Sequence, residues 1–349
     1  MSKLVFITQR ADPEHPALAA TVPKIAALAE RADEVVVLTA GAVRGALPSN
    51  CRIRSFRAPS QAARGLRFAS ALAVELVRGR PILVVAHMCP IYAILAAPLV
   101  RPLRIPLVLW FTHWRATDKL RLATRLSSAV VSVDLRSFPF SATKLTPIGH
   151  GIDLERFGCT TPRPSEERPL ELIALGRYNP AKGYDVVLAA VRLAIDADTD
   201  LRLTIHGPVL TDEDEEHRRR LEQLRAELGL EQHVELAGPV SHTDVPRLLA
   251  GADALVNNTR GGSADKIVFE AGASCLPALA SAPAFDGLVP TDLRFRPDDP
   301  AELAASLARF AKLDVKARGA IGRRLRDQVA AEHSVANWAT GILAAASGR

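Results

Sequence analysis

Four short segments carry side chains whose types and spacing could do chemistry. The first is Leu175-Gly176-Arg177-Tyr178-Asn179-Pro180-Ala181-Lys182-Gly183, which follows an apolar run and precedes a helical pattern. That context puts Arg177 and Lys182 at the carboxyl edge of a parallel sheet, where open α/β folds bind ligands. Two cations on a loop beside a helix N-terminus could clamp a diphosphate; the competing reading is two ordinary surface cations. The second segment runs Thr259-Arg260-Gly261-Gly262-Ser263-Ala264-Asp265-Lys266-Ile267-Val268-Phe269-Glu270-Ala271. Its Gly-Gly-Ser loop follows a buried strand and opens a helix, which exposes backbone N–H groups to an anion. Glu270 falls one to two turns into that helix, where it could accept hydrogen bonds from ribose hydroxyls or simply face solvent. In the third, Ile148 to Phe157, two glycines flank His150 and allow a tight backbone; a structural turn and a role in a site both remain open. The fourth, Trp110-Phe111-Thr112-His113-Trp114-Arg115, sets His113 just past an apolar strand among aromatics, either packed or presented to a ligand. His87, at the end of another strand, reads as core.

These residues need a scaffold, and the chain alternates short apolar strands with helical stretches, the mark of α/β architecture with parallel sheets. In the first half the strands read Leu4–Thr8, Glu34–Thr39, Arg52–Phe56, Ile82–Ala86, Leu107–Phe111, Ala129–Val133 and Lys144–Ile148, with helical patterns at Ala17–Arg31 and Arg64–Arg78. The polar, proline-bearing stretch from Thr160 to Pro169 reads as an interdomain linker. The rhythm then restarts with strands at Leu170–Leu175, Leu201–Ile205, His233–Ala237, Ala254–Asn257, Leu276–Ala280 and Gly287–Val289. Helices are expected at Tyr184–Ala197, Asp212–Leu228, Val245–Ala250, Asp265–Ser274, Pro300–Leu313, Val315–Glu332 and Ser334–Ala346. A chain of 349 residues is too long for one ordinary core and fits two domains.

Composition narrows the class further. Hydrophobic residues make up 48% and charged residues 23%, the balance of a globular protein in water. The four cysteines (Cys51, Cys89, Cys159, Cys275) are far apart in sequence with no Cys-x-x-Cys pair, which argues against a disulfide framework or zinc site and for a reducing compartment. The chain opens Met-Ser-Lys and enters Leu4–Ile7 at once, without a signal-peptide pattern. The segment Ile82–Val100 lacks Asp, Glu, Lys and Arg, but its internal prolines fit a strand, a turn and a helix better than a membrane span. Charge is lopsided: residues 1–150 hold 20 Lys+Arg against 8 Asp+Glu, and the remainder 24 against 30, giving +12 and −6. No nucleic-acid-binding signature accompanies the basic half, which leaves an anionic membrane face or an ordinary solvated surface. After the first strand stands Gln9-Arg10-Ala11-Asp12-Pro13 rather than Gly-x-Gly-x-x-Gly, which disfavours a nicotinamide dehydrogenase. No P-loop, His-Glu-x-x-His or Gly-x-Ser-x-Gly occurs. Asp196-Ala197-Asp198 mimics an Asp-x-Asp metal motif but lies between a helix and a strand among polar residues, and reads as a solvated turn.

Taken together, the segments and their order resemble the family-4 retaining glycosyltransferases of the GT-B fold, over nearly the whole chain. The resemblance rests on Gly151–Phe157, on Gly176–Gly183, on His206-Gly207-Pro208 after a strand, on Val234–Gly238, on Ala252-Asp253-Ala254, on Phe269-Glu270-Ala271 and on Ser334–Trp338. It implies two Rossmann-like domains facing across a cleft. Residues 1–158 with the closing helix 334–349 would bind the acceptor, and residues 159–333 the nucleoside diphosphate sugar, of UDP or GDP type. It also implies that Arg177 and Lys182 hold the diphosphate, that Glu270 binds the ribose, and that His113 lies near the transferring sugar. Gly176, Gly207, Val240, Gly262, Ser263, Asp265 and Lys266 would complete the sugar-donor side, and Arg10, His150 and Arg115 the acceptor side. Neither a metal nor a separate cofactor is implied.

By the same resemblance the reaction is transfer to an acceptor hydroxyl with retention at the anomeric carbon, in synthesis of a bacterial glycolipid, polysaccharide or other glycoconjugate. The acceptor would be a sugar or lipid-linked, and the enzyme cytoplasmic, with peripheral contact to an anionic membrane through its basic half and no nucleic-acid partner. Two departures stand out. Gly262 replaces the first Glu of the family's Glu-x7-Glu pattern, and Arg10–Pro13 replaces its first Gly-Gly loop. Backbone N–H groups of Gly262 and Ser263, or the Asp265 side chain, would have to substitute for the missing carboxylate. The alternatives are a degenerate nucleotide-sugar-binding protein, which Gly262 favours, and an epimerase or phosphorylase of the same fold.

Overall fold

The computed structural model describes residues 2–348 apart from 16–17, 44, 160–167 and 263. The chain divides into two compact units, Met1–Asp153 with Glu332–Arg349, and Leu154–Ala331. The linker expected at 160–169 therefore falls mostly outside the described residues.

Unit 1 is built on a seven-stranded sheet of β1 (Lys3–Ala11), β2 (Glu34–Ala42), β3 (Cys51–Ser55), β4 (Leu83–His87), β5 (Leu107–Trp110), β6 (Ala129–Ser132) and β7 (Leu145–Pro147), in the order β3-β2-β1-β4-β5-β6-β7. Every pairing is parallel, with Val5 opposite Val36 on one side and Val84 on the other. A central parallel strand is covered on both faces, so it must be apolar throughout, and Leu4, Val5, Phe6 and Ile7 are all at most 1% exposed. Alternation decides what each residue meets. Val5 and Ile7 join a core with Phe68 and Leu72 of α2 (Gln61–Arg78) and with Tyr92, Ala93 and Ala96 of α3 (Pro90–Val100). Phe6 points the other way, toward Trp338 with ring centroids 6.5 Å apart. Two further helices, α1 (Thr21–Ala29) and α4 (Asp118–Leu126), complete the local crossovers.

Unit 2 repeats the plan with β8 (Leu170–Leu175), β9 (Leu201–His206), β10 (Val234–Ala237), β11 (Ala254–Asn257) and β12 (Ala278–Ala280), ordered β10-β9-β8-β11-β12 and again all parallel. Its helices are α5 (Tyr184–Asp196), α6 (Asp212–Glu227), α7 (Val245–Ala250), α8 (Lys266–Ala273), α9 (Pro300–Ala311) and α10 (Val315–His333). The chain then returns to unit 1 as α11 (Val335–Ala346), whose first turn is capped by Ser334 Oγ accepting the Asn337 N–H. Trp338, on α11, is fully buried beside Trp110, and Gly151 comes so close that a Cβ there would lie 3.1 Å from its ring.

Three expectations are corrected or refined. Gly287–Val289 is a turn following a short 3-10 helix at Pro283–Phe285, because Gly287 takes a φ of +84° and Pro283 and Pro290 bracket the segment. Ile82–Val100 resolves into β4 and α3, and among the described residues no helix is long and apolar enough to cross a membrane. The cysteines are not four separate thiols: Cys159 and Cys275, 116 residues apart, form a disulfide with Cα atoms 4.8 Å apart. Arg326 of α10 explains the meeting, since its guanidinium donates to the carbonyls of Phe157 (2.6 Å) and Ala273, two residues before each cysteine. Spacing along the chain carries no trace of that tether. Cys51 and Cys89 remain free.

A cross-link closing so long a loop constrains the unfolded chain strongly, and Cys159→Ser should lower stability by about 2–4 kcal/mol in urea unfolding. Thiol titration of the denatured, unreduced protein should find the two free cysteines alone; four reactive thiols would mean the bridge does not form.

Candidate functional site

In unit 2 the chain leaves β8 for β9 on one side and later returns to β8's other side as β11. Ligands of open parallel sheets bind at such a switch, outside the carboxyl ends of the strands. Two loops meet there. The loop after β8 turns at Asn179, whose Oδ1 accepts the Ala181 N–H at 3.0 Å, and ends at Gly183 with φ +55°. A Cβ at Gly183 would come within 2.5 Å of Asn258, whose side chain donates to the Gly183 carbonyl at 3.0 Å. Gly207, after β9, is glycine for a similar reason, since a Cβ would sit 1.9 Å from the Gly176 carbonyl oxygen. From the loop after β11, Arg260 donates its backbone N–H to Ala181 (2.9 Å), Nη1 to Pro180 (2.8 Å) and Nη2 to Asp185 (2.9 Å), fastening the two loops together.

The cations of the site are held by acids. Lys182 Nζ forms an ion pair with Asp265, just before α8, whose Oδ2 also accepts from Asn257 Nδ2 at 2.9 Å and Thr259 Oγ1 at 3.2 Å. Burial pushes the Asp265 carboxyl up, but the Lys182 charge and these hydrogen bonds outweigh it and hold it below the ordinary range. Arg177 makes a two-pronged contact with Asp214 at 2.9–3.2 Å, and the Leu210 N–H adds a third donor at 3.0 Å. Asp214 is fully buried; burial raises its pKa, yet Arg177 and Leu210 keep it ionised below the usual value.

Glu270, on α8, is 3% exposed. Lys266, one turn earlier, pairs with its Oε1, and His242 Nε2 lies 3.0 Å from the same oxygen and 2.9 Å from Lys266 Nζ. Burial works against the charge, but Lys266 and His242 bring the Glu270 pKa down to about 2. Glu270 is thus an ionised acceptor set in a buried position, not a residue on a solvated helix face. Nearby, Gly207 N–H donates to Gly238 at 3.3 Å, and Val240, two residues on, is half-buried. Gly262 has φ +71° with open space where a Cβ would be. Ser263 lies outside the described residues.

The candidates in unit 1 separate. His113 is exposed in the loop after β5. Its backbone N–H donates to Ser137 at 3.0 Å, and its Nδ1 accepts the Arg115 N–H at 3.0 Å, so the neutral ring carries its proton on Nε2. Burial, then the Arg115 charge, lowers its pKa from 6.5. Arg115 is exposed beside it. His150 is buried, its ring edge-on to Trp110 at 6.3 Å, as befits a packed histidine. Arg10 is exposed near the end of β1 and belongs to a different cavity, described below. Sequence reasoning missed His242, Asp214 and Arg260. A histidine two residues past Val240 offered a weak signal, and Asp214 was masked among the four acids that open α6.

Residues 169–312, most of unit 2, match the family model of glycosyl transferases group 1. Among solved structures the chain is similar to HepE from Anabaena in complex with UDP and glucose, with a TM-score of 0.77, 17% identity and 100% of both chains covered. It is similar to sucrose-phosphate synthase from Thermosynechococcus elongatus (TM-score 0.75, 17% identity, 98% of this chain and 97% of that one). A glycosyltransferase from Rickettsia africae gives 0.77 at 13% identity, covering 99% and 98%. No curated protein matches in sequence. At these identities the likeness establishes the fold, and the fold of the chain is the GT-B fold of glycosyltransferases.

The Glu270 environment makes a testable demand on stability. The carboxyl titrates near 4.5 when unfolded and at about 2 when native. Its contribution is complete above 4.5 and is lost as pH falls toward 2, about 2 kcal/mol being gone by pH ~3. Glu270→Gln should therefore lose less stability than the parent protein between neutral pH and pH ~3 in urea unfolding, by about that amount. Equal losses in both proteins would show that Glu270 is not held ionised.

Proposed function

We propose that the chain moves a glycosyl group from a nucleoside diphosphate sugar of UDP type to an acceptor hydroxyl, with retention at the anomeric carbon. One observation carries the reading: the Lys182–Asp265 pair adjoins the Lys266–Glu270 pair, with Glu270 buried and ionised, beside the switch between β8 and β11 and inside the segment that matches glycosyl transferases group 1. The Anabaena HepE structures, which hold UDP, or UDP with glucose, at the same fold, support the choice of base.

The chemistry follows from the charges. A diphosphate entering the crevice would take Lys182 from Asp265 and share Arg177 with Asp214, while Glu270 accepts from the ribose hydroxyls. Negative charge growing on the departing phosphate would be met by donors already in place. The bond from the anomeric carbon to the phosphate oxygen breaks and the bond to the acceptor oxygen forms on the same face. The acceptor proton passes to the leaving diphosphate, so this route uses no protein base. His113, neutral with its proton on Nε2, would donate a hydrogen bond to the transferring sugar rather than accept a proton. On this reading the acceptor, a sugar or a lipid-linked one, belongs to the basic half of the chain, and anionic bilayers would draw that half to a membrane surface.

A second reading, a binder of nucleotide sugars that transfers nothing, rests on Gly262 standing where the family pattern has a carboxylate. The same experiment separates the two. UDP, tested beside GDP, ADP, CMP and TDP, should raise the melting temperature through binding linkage. Lys182→Ala should weaken UDP binding about 10- to 100-fold, the scale of one charge-assisted hydrogen bond. Unchanged affinity would remove Lys182 from the clamp, and binding without release of UDP from UDP-sugars in the presence of acceptors would favour the second reading. An α-linked sugar donor giving a β-linked product would sink retention.

A further inference from the structure

Unit 1 holds a cavity of about 700 Å³ at the carboxyl ends of β1, β2 and β3, lined by Arg10, Gly41, Arg57, Pro59, Arg64 and Arg67 among others. We propose that it binds a polyanionic, phosphate-bearing group through these four arginines. Its size lies in the range of small-ligand sites. The local sequence builds it directly. Arg10 turns outward near the end of β1, and Gly41, opposite it in register, has no side chain, so the Arg10 guanidinium lies within 3.6 Å of where a Cβ would be. Arg57 and Pro59 lead from β3 into α2, whose N-terminus is capped by Ser60. Arg64 and Arg67 stand three residues apart on the first turns of α2 and so share a face. Arg67 also donates to the Arg57 carbonyl, which fixes the loop beneath the cavity.

The charge balance points to a ligand. Like charges one turn apart on a helix oppose its formation. The first turn of α2 has no acid to offset them, and Asp12, 3.9 Å from Arg10, is the one carboxylate in ion-pair reach of the four among the described residues. The opposite end of the same sheet shows what a structural cluster looks like here: Arg52, Arg54 and Lys3 all converge on the fully buried Glu75. In the cavity no such shared acid stands: among the described residues Asp12 reaches Arg10 alone, at 3.9 Å. Four guanidinium groups against one carboxylate call for more than a single negative charge, and their forked geometry matches phosphate oxygens. The lining has no aromatic ring on which a base could stack.

The inference rests on the proposed function in one respect only, that the anion belongs to the acceptor. The test is calorimetric titration of inorganic pyrophosphate into the full chain, with UDP present to fill the crevice of unit 2. The comparison is with an Arg57→Ala/Arg67→Ala variant, whose two side chains are exposed, so that the fold should persist. Its melting temperature and its response to UDP should match the parent's, while pyrophosphate affinity should fall at least about 10-fold. Equal affinity in both proteins, or no heat in the parent at millimolar pyrophosphate, overturns the site. A parent that binds pyrophosphate but not UDP would keep this site and defeat the proposed function instead. Sedimentation with phosphatidylcholine vesicles, with and without phosphatidic acid, distinguishes the sources. Capture that needs phosphatidic acid and the two arginines assigns a lipid headgroup; pyrophosphate binding without capture assigns a soluble phosphate.

Discussion

The site of unit 2 depends on the pairing of Lys182 with Asp265. Each sits on a loop that leaves the sheet on one side of the switch between β8 and β11, and each is largely removed from water. A buried carboxylate is tolerated only when paired and hydrogen-bonded, so Asn257 and Thr259 complete what Lys182 begins. The consequence is mechanical as well as electrostatic. Arg260 clasps the first loop by its backbone and guanidinium, and Gly183 approaches Asn258 too closely for any larger residue. The cations are thus held in place by the protein itself. Asp265 and Asp214 act as internal anions that pair with Lys182 and Arg177.

Much of this frame was readable in the sequence. Ala254–Asn257 and Leu170–Leu175 were read to the residue because buried parallel strands are short, apolar and bounded by polar loops. The loop Gly176–Gly183 stood out because its cations follow a strand and precede a helix, a context local to the chain. What escaped shares one property: it forms between distant positions. Asp214 looked like any of four acids complementing the N-terminus of α6, and only packing makes it the one that is buried. His242 acquires meaning from α8, and Cys159 meets Cys275 where Arg326 donates to both backbones. His113 and His150 show the same limit in reverse. Both lay near apolar strands in sequence, yet one is exposed with its tautomer fixed by Arg115 and the other is packed against Trp110.

The net charge of the first half also divides once the fold is known. Part of it is structural: Glu75 collects Lys3, Arg52, Arg54 and Arg78 at the amino end of the sheet and is brought to a pKa of about 2, with the Arg52 hydrogen bonds as the largest cause. Such a cluster fastens α2 to β3 and has no capacity left for a ligand. The arginines at the carboxyl end are of another kind, since among the described residues only Asp12 comes within ion-pair reach of them. A single number of +12 hides this contrast, because summed charge says nothing about where counterions lie.

Gly262 stands three residues before Asp265. Its φ of +71° is strained for any residue with a side chain, although the space around it is empty. A carboxylate side chain at this position would be strained in the present conformation, three residues before Asp265, the partner of Lys182. The left-handed conformation at Gly262 is compatible with glycine, and Asp265, just before α8, supplies the carboxylate that pairs with Lys182.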